Sequence, residues 1–159
     1  MTLSALLLAC VVNSIGVGGD DSGVGTDDSG TTTGSGCKAQ DVVWTSDVTN
    51  ALGTEPFYSG DTLTLWGLAT NPCSTGIAFS IDSSCLFEEA SLVLPYDGGT
   101  MQVSFAGCTP DAGQVLLKPN ETVLQSATLD PLYTEGTYTF TLFATDVART
   151  PVPGTFTIL

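Results

Sequence analysis

The stretch Gly136-Thr137-Tyr138-Thr139-Phe140-Thr141-Leu142-Phe143 alternates small or polar residues with large apolar ones. Successive side chains on a β-strand point to opposite faces of the sheet, so this stretch predicts a strand with one apolar face and one threonine face. No window shows the spacing of apolar residues at i, i+3 and i+4 that indicates a helix. The same alternation recurs in Thr62-Leu63-Thr64-Leu65-Trp66, Ile77-Ala78-Phe79-Ser80-Ile81, Met101-Gln102-Val103-Ser104-Phe105 and Thr155-Phe156-Thr157-Ile158-Leu159.

Turn signals rich in Gly, Pro, Asn and Asp separate these runs at short intervals, which is typical of an antiparallel sandwich or barrel. We therefore predict an all-β fold, an antiparallel immunoglobulin-like β-sandwich. The predicted strands are 41–48, 61–69, 76–82, 90–95, 100–106, 113–117, 121–129, 136–145 and 153–159. The predicted core consists of Leu63, Leu65, Ile77, Phe79, Ile81, Leu92, Leu94, Val103, Phe105, Tyr138, Phe140 and Leu142.

Composition excludes several classes of function. The 159 residues include 17 acidic and 3 basic side chains, which gives a net charge of −14, and no His. Binding to a phosphate backbone requires basic side chains that replace its counterions, and a chain with this net charge cannot supply them. We therefore expect no nucleic-acid partner. Histidine is the commonest general base and metal ligand, so its absence also argues against most hydrolytic and metal chemistry.

The N-terminal residues are those of an export signal. Leu3 to Val12 form an apolar run that is too short to span a bilayer, which takes about 20 residues, and is about the length of a secretory signal core. The tetrapeptide Leu7-Leu8-Ala9-Cys10 resembles a bacterial lipobox, although no Lys or Arg precedes it. That resemblance implies a lipoprotein signal peptide at 1–9, lipidation of Cys10 and a lipid-anchored position in the bacterial cell envelope, periplasmic or surface-exposed. An ordinary secretory signal cleaved near Gly16 is the alternative.

Residues 10–36 form a flexible linker in this interpretation. The segment 13–36 is mostly Gly, Ser, Thr and Asp and has no aromatic residue, so it cannot bury enough apolar surface to order itself. Aspartate-rich glycine turns also bind calcium, but the ligand spacing of an EF-hand loop and its closing Glu are missing. The sandwich domain is expected at 37–159.

Four cysteines remain if Cys10 carries lipid: Cys37, Cys73, Cys85 and Cys108. An even number in an exported domain indicates two disulfides, for which four cysteines allow three pairings. We favour Cys85–Cys108, which leaves Cys37–Cys73 to fasten the first strand to the next turn. A zinc site is the rival interpretation, but the chain has no C-x-x-C pair.

Residues 61–145 resemble the BsuPI-type proteinase inhibitor family, which has an immunoglobulin-like sandwich. The matching residues are the Asn71-Pro72 turn, the Ser83-Ser84-Cys85 turn, the step Leu117-Lys118-Pro119-Asn120-Glu121-Thr122 and the strand Gly136-Thr137-Tyr138. Asn120 stands where the family has Gly, which is a mild change because Asn also tolerates a left-handed backbone. The family's Trp-containing strand has no counterpart here. The resemblance implies the same fold and the activity of a proteinase inhibitor.

No catalytic site can be assembled from the sequence. Lys38 and Lys118 lie in or beside turns, where neither is expected to be buried enough to activate a nucleophile. Glu88 and Glu89 are adjacent, so on a strand they point to opposite faces and cannot form a glycosidase pair by themselves. A small hydrolase would need other acids to converge in a cleft. We expect no enzyme activity, no cofactor and no metal.

The segment 49–59 is the best candidate for recognition, because an exposed loop that contains Asn50, Pro56 and Tyr58 is typical of binding loops on sandwich domains. We expect a non-enzymatic, membrane-tethered, extracytoplasmic binding module with a protein or polysaccharide ligand. The alternatives are a BsuPI-type proteinase inhibitor and a carbohydrate-binding module. The latter would need two or more of Trp44, Tyr58, Trp66 and Tyr96 to line one face, whereas the simpler interpretation packs both tryptophans in or beside the core.

Overall fold

The computed structural model describes residues 36–53 and 55–159. The predicted signal peptide, the lipidation site at Cys10 and the linker up to residue 35 lie outside this part of the chain. The described elements are a short 3-10 helix, Ala39–Asp41, and nine strands. The strands are β1 (Val43–Thr49), β2 (Thr64–Thr70), β3 (Ile77–Ile81), β4 (Phe87–Val93), β5 (Thr100–Ser104), β6 (Gly113–Leu117), β7 (Thr122–Thr128), β8 (Gly136–Ala144) and β9 (Pro151–Ile158).

Two antiparallel sheets face each other across the core. One has the strand order β1-β2-β7 and the other the order β5-β4-β8-β9. In the first sheet Leu65 lies opposite Val48 and Ala127, and in the second Leu142 lies opposite Ala90 and Val152. These rows point inward, and the intervening rows carry threonine and serine outward together with a few apolar side chains, among them Trp66 and Leu124. The predicted sandwich is confirmed, and its strand orders match A-B-E and C′-C-F-G of immunoglobulin-like domains.

Each predicted strand is present, although the predicted first residues of β1, β2, β4 and β9 and the predicted last residues of β4 and β5 differ from the observed ones by two or three positions. Strand β4 was expected to begin at residue 90 and begins at Phe87, because a β-bulge between Phe87 and Ala90 breaks the alternation that the prediction relied on. Strand β9 begins at Pro151 and tolerates Pro151 and Pro153 because it is an edge strand, where a missing N–H disrupts no ladder.

The core lies between the two sheets and contains the predicted residues with one exception. Leu94 is only half-buried, because it lies in the turn after β4, where its N–H donates to the carbonyl of Gly99. Several large side chains that the prediction omitted are also buried, namely Phe57, Phe87, Leu117, Phe156 and Ile158.

Tyr138 fixes the start of β8. Its ring is buried and stacked on Phe156, and its Oη donates to the carbonyl of Thr134 at 2.8 Å. This is the tyrosine corner of immunoglobulin-like sandwiches, in which a buried tyrosine ties the chain between two sheets to the strand that follows. Gly136 precedes it with φ 133°, and a Cβ there would lie 2.8 Å from the side chain of Pro95. Only glycine fits both the backbone angle and the space.

Phe87 joins the two sheets. A Cβ on Gly67 of β2 would lie 2.4 Å from the Phe87 ring, so the missing side chain makes the room that the ring fills. Trp44 of β1 meets the same ring edge-on, with centroids 5.5 Å apart. The amide of Gln125 on β7 accepts from the Phe87 N–H at 3.1 Å and donates to the Phe87 carbonyl at 3.0 Å. Phe87 is paired with Ala144 at the start of β4, and Gln125 satisfies both of its backbone polar groups.

Strands β3 and β6 pair with each other and cross one end of the sandwich. Their Ile77–Leu117 end lies beside Asn71, whose buried amide donates to the carbonyls of Thr75 and Lys118, each at 2.8 Å. At their other end Ile81 forms a bridge with Asp146, between β8 and β9. The β3–β6 pair therefore connects the two sheets at this end.

Two disulfides fasten the same end. Cys37 is bonded to Cys73 and Cys85 to Cys108, with Cα–Cα distances of 6.3 and 5.4 Å. These are the two pairs that the sequence analysis favoured. We call this end, with its turns 71–76, 82–86, 105–112, 118–121 and 145–150, the disulfide end. The opposite end, formed by the described loop residues 50–53, 55–63, 94–99 and 129–135, we call the tyrosine end, because Tyr58, Tyr96 and Tyr133 lie in those loops.

Within the described residues no helix has the length and hydropathy to cross a membrane.

Replacing Tyr138 with Phe removes the Oη hydrogen bond and leaves the Thr134 carbonyl without that donor. We expect Tyr138→Phe to lower the free energy of unfolding by about 1–2 kcal/mol, as measured by urea titration of the full chain. Tyr133→Phe is the matched control, since that ring is 75% exposed. Equal midpoints for the two variants would contradict the role given to Tyr138.

Candidate functional site

The loop after β1 begins with a turn centred on Asn50. The Asn50 side chain accepts from the N–H of Leu52 at 2.9 Å, and the Asn50 carbonyl accepts from Gly53. Gly53 has φ 76°, a left-handed conformation that glycine adopts without strain. The turn therefore exposes Leu52, which is 85% exposed.

Phe57 anchors the middle of this loop to the core. Its ring is buried and packs edge-on against Phe156 at 6.2 Å between centroids. Its backbone forms a parallel bridge with Ile158, and its carbonyl accepts from the N–H of Leu159. Because Phe57 points inward, its neighbours Pro56 and Tyr58 are exposed.

Asp61 closes the loop. Its Oδ2 accepts from the N–H of Tyr58 at 2.9 Å and from Nδ2 of Asn50 at 3.5 Å. One carboxylate thus holds the first turn and the last turn of the loop together. Asn50, Pro56 and Tyr58, predicted as a binding loop, converge around one shallow depression of about 340 Å³ that Glu55, Asp61 and Leu52 also line. That these residues bind a ligand stays a prediction.

The loop after β7 packs against the loop after β1. Oγ of Ser59 donates to the carbonyl of Tyr133 at 3.2 Å, and the N–H of Gly60 donates to Leu132 at 2.8 Å. The Tyr133 ring lies 3.4 Å from the position that a Cβ on Gly60 would take. The sequence analysis did not single out Tyr133, because its contact with Gly60 joins residues far apart in the chain and leaves no local pattern.

The structure separates the two tryptophans that were considered for sugar binding, whereas the two tyrosines lie at one end. Trp44 points into the sandwich, where it also meets Phe79 edge-on at 5.6 Å. Trp66 is on the outer face of β2, where its Nε1 donates to Oγ1 of Thr49 at 2.9 Å. The two indoles lie on opposite faces of one sheet and form no common platform. Tyr58 and Tyr96 are exposed, at the tyrosine end.

Neither lysine considered for catalysis is buried, since Lys38 and Lys118 are both exposed. Glu89 lies 3.8 Å from Arg149 in a solvent-exposed ion pair, whereas Glu88 is half-buried. No group of three or more Asp, Glu or Cys side chains with the geometry to hold a metal ion occurs among the described residues.

A second depression, of about 450 Å³, lies between β1 and β9 and is lined by Val42, Trp44, Thr45 and Ser46 and by Thr150 to Pro153. Oγ of Ser46 crosses it to the carbonyl of Pro153 at 3.1 Å. No charged side chain lines it. It is the junction at which the two sheets approach without pairing.

Comparison with known proteins gives only remote structural likeness. No protein-family model matches the chain, and no curated protein is similar to it. A β-D-glucoside glucohydrolase from Trichoderma reesei superposes with a TM-score of 0.38 at 8% identity, over 74% of this chain. This chain spans only 19% of that enzyme. Spo0M, a sporulation control protein from Bacillus subtilis, gives a TM-score of 0.37 at 11% identity, over 73% of this chain and 48% of Spo0M. ApaA from Bordetella pertussis gives 0.36 at 20% identity, over 74% and 89% of the two chains.

Removal of the Asp61 carboxylate should make the loop between β1 and β2 more mobile without unfolding the sandwich. We expect Asp61→Ala to speed cleavage between residues 50 and 60 in limited proteolysis several-fold, with a loss of about 1 kcal/mol in unfolding free energy. Asp130→Ala is the control, because Asp130 is exposed at the same end and makes no side-chain hydrogen bond within the described part of the chain. Equal cleavage of the two variants would show that Asp61 does not hold the loop.

Proposed function

We propose that this protein is a non-catalytic, extracytoplasmic binding module that is tethered to the envelope by a lipid on Cys10 and binds a protein partner at the tyrosine end. Its partner would meet the loop residues 50–53, 55–63, 94–99 and 129–135. The tether would be residues 10–36.

The two disulfides indicate an oxidising, extracytoplasmic compartment. Cytosolic glutathione and thioredoxin keep most thiols reduced, so a domain with all four of its cysteines paired is typical of exported proteins. This supports the export signal that the first residues predict. The lipid itself rests on the resemblance of residues 7–10 to a lipobox.

One observation carries the binding proposal: the three exposed aromatic side chains in the described part of the chain all lie at one end. Tyr58, Tyr96 and Tyr133 are 55%, 79% and 75% exposed, respectively. Tyrosine is enriched in protein interfaces, because its ring supplies a large contact area at little cost in conformational entropy. Cys37, the first cysteine of the domain, is bonded at the other end. A tether that continues from there leaves the tyrosine end free for a partner.

The loops at the tyrosine end are fastened to one another before any partner binds. Phe57 is fixed to β9, Gly60 to Leu132, and Ser59 to Tyr133. A preorganised surface loses less entropy on binding than a mobile one. Tyr58 and Tyr96 keep the count of aromatic side chains that a carbohydrate-binding module needs. We propose a protein rather than a polysaccharide because the two tryptophans that could have formed a flat stacking platform point to opposite faces.

Photo-crosslinking at the tyrosine end tests this proposal directly. The full chain, with p-benzoylphenylalanine in place of Tyr58, is produced in its native bacterium and irradiated. We expect a discrete higher-mass adduct on a denaturing gel. The control places the same residue at Leu124, which is 56% exposed on the outer face of β7. Absence of an adduct at position 58, or equal adducts at both positions, would overturn the proposal.

The tether has a separate test. We expect Cys10→Ser to move the chain from the detergent-soluble membrane fraction to the soluble extracytoplasmic fraction, because the sulfur that carries the lipid is gone. Cys10→Ala, which removes the same sulfur, should behave identically. Retention of both variants in the membrane would show that Cys10 is not the anchor.

A further inference from the structure

Charge is distributed unevenly between the two ends of the domain. The three basic residues of the chain, Lys38, Lys118 and Arg149, all lie at the disulfide end. Five carboxylates lie in the loops of the tyrosine end, and no basic side chain accompanies them there. They are Glu55, Asp61, Asp97, Asp130 and Glu135.

Three of these carboxylates are free to face a partner. Asp61 accepts bonds from its own loop, and Asp97 accepts from the N–H of Gly99 at 2.8 Å. Glu55, Asp130 and Glu135 are exposed and make no side-chain hydrogen bond or ion pair among the described residues. At the disulfide end, by contrast, Glu89 already has Arg149 as a partner.

The tyrosines lie at the same end of the sandwich as the loops that carry the free carboxylates, and Glu55 lines the same depression as Tyr58. Tyr58 follows Phe57, which pairs with Ile158. Ile158 pairs with Gly136, and Gly136 packs on Pro95, the residue before Tyr96. Neighbouring strands are about 4.8 Å apart, so these four positions span roughly 15 Å. Tyr133 packs on Gly60 at the Tyr58 side of the same surface.

We infer that the tyrosine end binds a cationic polypeptide segment, whose Lys or Arg side chains lie against the Tyr58, Tyr96 and Tyr133 rings. The negative face of a tyrosine ring attracts a cation, and Arg stacks on it more often than Lys does. The free carboxylates Glu55, Asp130 and Glu135 would complement the partner's charge and orient it. This inference rests on the proposed function and specifies the chemistry of its partner.

Arginine rather than a small cation is the expected contact, because the surface is apolar as well as acidic. Leu52 is 85% exposed beside Tyr58, and its side chain offers apolar area that a metal ion cannot use and that the thin methylene chain of a polyamine covers less fully than a polypeptide does. A polypeptide brings apolar stems and side chains that can cover both Leu52 and the rings. Binding should therefore be weakened by salt without being abolished.

The test uses the full chain with Cys10→Ser and a fluorescein-labelled 12-residue peptide of alternating Arg and Ser. Fluorescence anisotropy is measured at 20 mM and 200 mM NaCl. A Gln-Ser peptide of equal length is the negative probe, and spermine and Ca²⁺ are the competitors. We expect binding of the Arg peptide alone, and more than tenfold weaker competition by spermine or Ca²⁺ than by unlabelled Arg peptide.

Two triple variants that remove the same charge distinguish binding at the tyrosine end from general attraction of a cationic peptide to a negatively charged chain. The first is Glu55→Gln/Asp130→Asn/Glu135→Gln at the tyrosine end, and the second is Asp82→Asn/Glu88→Gln/Asp111→Asn at or beside the disulfide end. Both remove three negative charges. We expect the first to weaken the Arg peptide at least tenfold and the second less than twofold. Tyr58→Ser/Tyr96→Ser/Tyr133→Ser should also weaken it at least tenfold, with an unchanged unfolding midpoint as the folding control.

Equal weakening by the two charge variants, an undiminished affinity in the tyrosine variant, or no binding of the Arg peptide at 20 mM NaCl would overturn the inference. So would competition by spermine or Ca²⁺ at the strength of the Arg peptide. These outcomes are distinct from failure of the proposed function. A crosslinked adduct at position 58 that survives an excess of Arg peptide would leave the binding module standing and remove its cationic partner.

Discussion

The ring and backbone of Phe87 form the point at which the two sheets of this domain are held together. The ring occupies the space left by the missing side chain of Gly67 and meets Trp44, so one residue of β4 packs on both β2 and β1. At the start of β4, before the bulge, the Gln125 amide accepts from the Phe87 N–H and donates to the Phe87 carbonyl. The same Gln125 Nε2 lies 3.6 Å from Sγ of Cys108, so the bulge is also held beside a disulfide. Without Gln125, two backbone polar groups would be buried without those partners, which proteins avoid.

The two ends of the domain differ. At the disulfide end the two sheets are linked to each other, and at the tyrosine end exposed side chains face solvent. Both disulfides, the β3–β6 pair and the buried amide of Asn71 lie at one end and link the sheets there. At the other end, Phe57 and Tyr138 fix the loops to β9 and β8, and the side chains between them point to solvent. The exposed tyrosines are therefore displayed by a rigid frame, which is how sandwich domains commonly present recognition loops. The distribution of charge follows the same division, since the basic side chains lie with the disulfides.

Much of the fold could be predicted from the sequence, because one buried face per strand imposes a period of two that glycine and proline turns interrupt. The predictions failed where tertiary contacts override that period. Phe87 and Ala90 are both buried although they are three residues apart, so the bulge between them breaks the alternation at the start of β4. The candidate loop was chosen from its turn residues, and the structure brings Asn50, Pro56 and Tyr58 together around one depression. Tyr133 and the carboxylates of the neighbouring loops could not be assigned to the candidate site from the sequence, because only strand pairing brings their loops to the same end as Tyr58.

The most direct test of this account compares the unfolding free energy of Gln125→Met with that of Gln102→Met. Methionine has a similar length and volume but neither accepts from the Phe87 N–H nor donates to its carbonyl. Gln102 is exposed on β5 and provides the matched substitution. If the Gln125 amide joins the sheets, Gln125→Met loses about 2–3 kcal/mol, and Gln102→Met stays within about 0.5 kcal/mol of the parent chain. Equal and small losses in the two variants would contradict it, because the sheets would then be held together without the contact on which the rest of the structure has been argued to depend.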